Sequence, residues 1–167
     1  MNIFKSILLL SISFIFLSSF DGLEKKLPSV ELKNLEGKKV NIDEYSNNGK
    51  LTIVSFWATW CTPCKRELDA YGEYAEEWAS EYNAEIVAIT IDNARQLAKV
   101  KPMVAQKGWS FDILSDVNQD LMKQLNFQLI PQTYVLDQDG NIVYDHSGYA
   151  PGDELEIEDL LIELSKK

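Results

Sequence analysis

Apolar and polar positions change their period along this chain in step with the elements they predict. Residues 51–56 (Leu51-Thr52-Ile53-Val54-Ser55-Phe56) form a nearly continuous apolar run without strict alternation, the pattern of a central strand covered on both faces. From Pro63 onward, Leu68, Tyr71, Ala75 and Trp78 recur close to the 3.6-residue period, with Glu67, Glu73, Glu76 and Glu77 between them. That spacing predicts an amphipathic helix. Pro63 suits its first turn, where a missing N–H has no partner to lose. Residues 84–91 read as a second core strand, so the three segments form a right-handed, parallel strand–helix–strand unit.

The flanks add a hairpin on each side. Residues 30–33 and 38–42 enclose Asn34-Leu35-Glu36-Gly37 and predict an N-terminal hairpin, preceded by a polar linker over 23–27. Asn47-Asn48-Gly49 is a turn. Residues 92–130 exceed what one connecting helix needs. They contain a helical pattern over 95–107 with Pro102 as a kink or break, an extended piece over 111–114, and a second helix over 118–125. Residues 133–136 and 141–144 then flank Asp137-Gln138-Asp139-Gly140 as an antiparallel hairpin, and 153–164 close the chain as an amphipathic helix. The order is strand, helix, strand, helical insert, hairpin, helix, which makes residues 27–167 an α/β domain.

Composition narrows the partners. With 167 residues and 46% apolar content the chain can bury one ordinary core without structural cross-links. Its net charge of −10 has the wrong sign for a phosphate backbone, so nucleic acid is excluded as a partner. Residues 1–22 read differently from the rest. Lys5 is followed by an uncharged, mostly apolar run from Ser6 to Phe20, shorter than the about 20 residues of a spanning helix. Small residues at both −3 and −1 are hard to find near its end: cleavage after Ser19 leaves Leu17 at −3, and after Gly22 it leaves Phe20. The segment is expected to be a signal peptide or an uncleaved membrane anchor, and with no cysteine following it, a lipoprotein anchor is ruled out. Either way the domain is expected in a periplasmic or other extracytoplasmic, oxidising compartment.

The only two cysteines stand in Trp60-Cys61-Thr62-Pro63-Cys64, directly after the apolar run. Three residues apart on a helix, they share one face within reach of a disulfide. As a staple such a short loop contributes roughly 2 kcal/mol, less than longer loops do, so the pair reads as chemistry. A strand that delivers Cys-x-x-Cys to a helix N-terminus is the thioredoxin-like signature. An ordinary thiol, with pKa about 8.5, is only a few per cent ionised at neutral pH. The helix N-terminus lowers that by about one unit at best, and the second thiol and Lys65 are the other groups at hand. This assigns Cys61 as the nucleophile and Cys64 as the resolving thiol. Glu67 lies one turn beyond Cys64 on the same face; it is either a buried proton acceptor or a solvated glutamate like its neighbours. Ile130-Pro131-Gln132-Thr133 precedes a predicted strand, and the Ile130–Pro131 bond is either an ordinary trans turn or cis, with adjoining backbone free to pair with an extended substrate. Trp57, Trp60 and Phe127 are placed to line the approach to the thiols or to pack in the core.

Phe56-Trp57-Ala58-Thr59-Trp60-Cys61-Thr62-Pro63-Cys64-Lys65-Arg66-Glu67 resembles the TlpA/ResA-like thiol-disulfide oxidoreductases of the thioredoxin superfamily, over roughly residues 27–167. The resemblance implies a thioredoxin-like fold with an N-terminal hairpin and a helical insert. It also implies an exported, often tethered enzyme that reduces disulfides of exported proteins, in some cases apocytochrome c during haem attachment. On this pattern Cys61 attacks, Cys64 resolves, Glu67 is the functional glutamate and Pro131 the cis proline, with Trp60, Pro63, Ile130 and Pro131 meeting the substrate. No cofactor is implied beyond the Cys61/Cys64 pair, and the electron donor is expected to be a membrane thiol reductant. Ser55 stands where cytosolic thioredoxins carry a buried aspartate, which leaves Glu67 as the better proton carrier, and Gln132 after the proline is an unusual residue there.

Two rivals remain. A peroxidase-type redoxin shares the fold, but usually has a proline several residues before a Thr-x-x-Cys motif, where this chain has Ser55-Phe56-Trp57. A copper-carrying chaperone would use Cys61, Cys64 and His146, the lone histidine, which otherwise caps a strand. A zinc site would want more cysteine or histidine ligands than the chain has, so no metal site is expected.

Overall fold

The structure is a computed structural model that describes residues 25–166; the expected export segment, residues 1–22, lies outside them. The long apolar run becomes strand β3 (Leu51–Trp57), all seven residues of which are buried. It takes a neighbour on each edge. Strand β4 (Ala84–Thr90) runs parallel to it, and strand β6 (Gln132–Leu136) runs antiparallel. Helix α1 (Thr62–Tyr82) connects β3 to β4 and packs on both. Its buried positions are Cys64, Glu67, Leu68, Tyr71 and Trp78, the helical stripe expected for a face turned to the sheet. Asn83 ends the helix in the left-handed region.

Around that centre the sheet grows to seven strands, in the order β2-β1-β5-β4-β3-β6-β7. The N-terminal hairpin is β1 (Glu31–Asn34) with β2 (Lys39–Asn41), and the C-terminal one pairs β6 with β7 (Ile142–Ser147). Helix α4 (Asp153–Leu164) packs beside α1 and buries Ile157, Leu161 and Leu164. The thioredoxin-like α/β class expected from the order of elements is the class observed.

The extended piece expected within the insert is strand β5 (Asp112–Ser115), parallel to β4 and antiparallel to β1, and it joins the N-terminal hairpin to the central sheet. Three sequence expectations need correction. Pro102 neither kinks nor breaks a helix. A short 3-10 turn (Leu97–Lys99) comes first, and helix α2 (Val100–Lys107) starts just before the proline, whose missing N–H falls in the first turn. Helix α3 (Asp120–Leu125) starts two residues later than its pattern, because the Asp116 carboxylate accepts the Asp120 and Met122 amides at 2.8 and 3.0 Å. The stretch before β1 is also more than a polar linker: Leu27 is buried, and Ile142 N–H donates to the Lys25 carbonyl at 2.7 Å.

The turn between β6 and β7 shows how tightly these pieces close. Gly140 has φ +78°, and a Cβ there would meet the Ser46 carbonyl and stand 2.8 Å from Ser46 Cβ. Gly49 has a similar φ of +74° with nothing nearby. Both alanine variants carry left-handed strain of about 1 kcal/mol, but only Gly140→Ala adds a backbone clash, for a total loss of about 3 kcal/mol or more. Urea unfolding of the two variants checks this; equal losses would mean that the close approach to Ser46 has no energetic weight.

Candidate active site

A four-residue turn, Ala58-Thr59-Trp60-Cys61, carries the chain from β3 into α1 and is closed by Cys61 N–H donating to the Ala58 carbonyl at 3.0 Å. Cys61 is the N-cap of α1, and its Sγ accepts the Cys64 amide at 3.3 Å. The N-terminal peptide dipoles of the helix therefore point at this sulfur and favour a thiolate there once the pair is reduced. Cys61 and Cys64 are joined as a disulfide with Cα atoms 5.4 Å apart. Cys61 keeps 5% exposure while Cys64 has none, so only Cys61 offers its sulfur to a partner.

Glu67 is not a solvated helix glutamate: it is 1% exposed, whereas Glu73, Glu76 and Glu77 face solvent. Three hydroxyls donate to it. Ser55 Oγ lies 2.6 Å from Oε2, Thr133 Oγ1 2.9 Å from Oε1, and Tyr71 OH 3.4 Å from Oε1. Strand register explains the cluster, since Ser55 and Thr133 are direct partners across β3 and β6 and present their side chains to the same face. Burial pushes the Glu67 carboxyl up to about 7; the three hydroxyls pull it down and the charge of Asp153 adds to the rise. A carboxyl at that value is half protonated near neutral pH, able to take or give a proton.

The segment before β6 faces the cysteines. The Ile130–Pro131 peptide is cis, and the Ile130 carbonyl oxygen is 3.9 Å from Cys61 Sγ. Pro131 is buried, while Ile130 and Pro63 are half-buried. Trp60 is 57% exposed and Leu129 73%, so large apolar side chains stand free in the turn that carries Cys61 and beside Ile130. The other aromatics take packing positions. Trp57 is fully buried against Trp109, ring centroids 5.1 Å apart, and Phe127 is half-buried against Phe56 at 4.6 Å.

Other expected participants lie elsewhere. Lys65 Nζ donates to the Thr59 carbonyl at 3.1 Å. His146 does not cap a strand; it sits within β7, paired with Asp153 at 3.4 Å and stacked on Tyr144. Among the described residues no group of three or more His, Cys, Asp or Glu is arranged to hold a metal ion. Gln132 is buried and accepts a hydrogen bond from Ser147 Oγ. Sequence reasoning missed Tyr71, Thr133 and the Ser55 hydroxyl as partners of Glu67. It also missed Asp92, buried at the end of β4 and bonded to Thr59. The available signal was a polar residue in an otherwise apolar strand, as at Ser55 and Thr133.

Residues 23–145 match the AhpC/TSA family. Among curated relatives, thiol-disulfide oxidoreductase ResA of Bacillus anthracis is 30% identical over 132 residues, which span 79% of this chain and 73% of that protein. Sporulation thiol-disulfide oxidoreductase A of Bacillus subtilis is 30% identical over 124 residues, 71% and 73% of the two chains. The solution structure of an uncharacterized thioredoxin-like protein from Porphyromonas gingivalis superposes with a TM-score of 0.74 at 42% identity, covering 84% of this chain and 92% of that one. The family match includes the turn that bears Cys61 and Cys64, and the chain belongs to the AhpC/TSA family as a TlpA/ResA-like thiol-disulfide oxidoreductase.

Proposed function

We propose that this enzyme works outside the cytoplasm as a reductase of disulfides in exported proteins, apocytochrome c awaiting haem attachment being one such client class. The observation that carries the reading is the asymmetry of the pair: a Cys61 at the helix N-terminus that keeps 5% exposure, and a fully buried Cys64 one turn before a Glu67 whose carboxyl burial raises to about 7. In the reduced enzyme the Cys61 thiolate attacks one sulfur of the client disulfide, forming a mixed disulfide and releasing one client thiolate. Cys64 then gives its proton to Glu67 and attacks Cys61 Sγ, which reforms the Cys61–Cys64 disulfide and frees the second client thiol. Two electrons pass to the client. The pair holds them itself, so no added cofactor is needed, and a membrane dithiol donor restores the reduced state.

Trp60, Pro63, Ile130 and Pro131 are assigned as the client's contact surface; the Ile130 carbonyl lies 3.9 Å from Cys61 Sγ, and Trp60 is the most exposed of the four. An extended client segment pairs there with the backbone next to Pro131. Export rests on residues 1–22 as signal peptide or anchor; among the described residues no helix is long and apolar enough to cross a membrane. The peroxidase reading has less support, because the partner of Cys61 is already seated on the next turn of α1.

Cys61→Ser is expected to abolish insulin reduction, and Cys64→Ser to accumulate mixed disulfides with exported clients, read on non-reducing gels. Absence of any trapped species, or peroxide turnover faster than insulin reduction, overturns the reading.

Glu67 makes a separate expectation in pH. Its value of about 7 in the folded protein lies above the ordinary 4.5, so the folded state holds this proton more tightly than the unfolded chain does. The resulting stability is fully present below about 4.5 and is lost as pH rises through about 7. The loss corresponds to roughly 3 kcal/mol. Oxidised Glu67→Gln should lack that part of the decline in urea-unfolding free energy, and in the reduced enzyme it should slow resolution of the mixed disulfide. Parallel stability profiles for the two proteins would remove Glu67 from the proton path.

A further inference from the structure

Asp92 is completely buried at the end of β4, and its partners are an amide and two hydroxyls. Oδ2 accepts the Thr59 amide at 2.8 Å and the Thr90 hydroxyl at 2.8 Å; Oδ1 accepts the Thr59 hydroxyl at 3.0 Å. Burying a carboxylate is costly unless every lone pair finds a donor, so the site has to be built around it. Two of the three donors belong to Thr59. Its remaining polar group, the carbonyl, accepts Lys65 Nζ from α1 at 3.1 Å. Thr59 is thus gripped at its amide, hydroxyl and carbonyl from two separate elements, two residues before Cys61.

The backbone on either side is fixed as well. Ile91 N–H donates to the Trp57 carbonyl at 2.9 Å, and Cys61 N–H to that of Ala58 at 3.0 Å. The redox cycle gives this grip its use. In the oxidised enzyme the bond to Cys64 holds the Cys61 sulfur in place. In the reduced enzyme that bond is gone at the moment Cys61 has to attack, and the turn alone sets where its sulfur points.

We propose that Asp92 and Thr59 form a positioning clamp that holds the Cys61 turn in the reduced enzyme, keeping its sulfur aimed at the N-terminal amides of α1 and ready for in-line attack. Neither residue touches the client; both act through the backbone of the turn. A misaimed sulfur loses the amide that favours its thiolate and the alignment that favours exchange.

The clamp rests on Cys61 being the attacking thiol. Reduced wild type, Thr59→Ser, Thr59→Val, Thr59→Ala, Asp92→Asn and the Thr59→Val/Asp92→Asn double variant are compared by rate of attack on a small aromatic disulfide across pH, with the thiolate followed by its ultraviolet absorbance. Thr59→Val and Thr59→Ala should each slow attack about tenfold and move the Cys61 titration upward, whereas Thr59→Ser, which keeps the hydroxyl, should restore the rate to within about twofold of wild type. Asp92→Asn should slow attack as well, and the loss in the double variant should fall short of the product of the two single losses, because the bond from the Thr59 hydroxyl to Oδ1 is common to both changes. Thr59→Ala is judged alone where Thr59→Val fails to fold. A wild-type rate and titration in the hydroxyl-free variants, an equal loss in Thr59→Ser, or losses that multiply in the double variant overturn the clamp. Exchange that survives in Cys61→Ser overturns instead the assignment on which it rests.

Discussion

The junction between β3 and α1 is the constraint on which the site depends. β3 is hydrogen-bonded on both edges and buried on both faces, so its end has no freedom to move. A turn of four residues follows, and the helix begins at once with Cys61 as its cap. The sulfur therefore inherits its position from the most rigid part of the sheet. That is what a displacement at sulfur needs, because small misplacements of a nucleophile cost large factors in rate. The strand before and the helix after supply different things: one supplies position, the other a field that favours negative charge.

Opposite electrostatic demands are met within two helical turns of each other. Cys61 has to become an anion readily, and the open end of α1 favours that. Glu67 has to be able to stay neutral, and burial between α1 and the sheet favours that instead. The short distance in sequence hides a change of environment from the rim of the sheet to its covered face. One helix gives both, because Cys61 caps its open end while Glu67 lies on the stripe that packs against the sheet.

Much of this was legible in the sequence, and what was not has a physical reason. The central strands, α1, both hairpins and the cysteine pair follow from apolar period and a spacing that only a helix turns into a contact. Glu67 could be placed on the right face but not at the right depth, because its neighbours Glu73, Glu76 and Glu77 share its composition and differ only in what the sheet covers. β5 was read as a loose extended piece, since four residues carry little period and its pairing with β1 is non-local. The start of α2 was misplaced because Pro102 looks the same in a first turn and at a kink until the preceding residues are seen. Asp92 left no pattern at all: its role depends on β3 and β4 lying in register, which brings the end of β4 against the turn that follows β3.

Two of the buried carboxylates, Glu67 and Asp92, then divide the work by the kind of donor each receives. All the side-chain partners of Glu67 are hydroxyls, and a hydroxyl can turn to accept as well as donate, so that shell stays satisfied whether the carboxyl is charged or neutral. Such a shell suits a group that gains and loses a proton in every cycle. Asp92 instead receives a backbone amide, which can only donate and cannot turn away without moving the chain. Such a partner suits a group whose task is to hold. The difference between carrying a proton and holding a loop thus lies less in the carboxylate than in whether its donors are free to reverse.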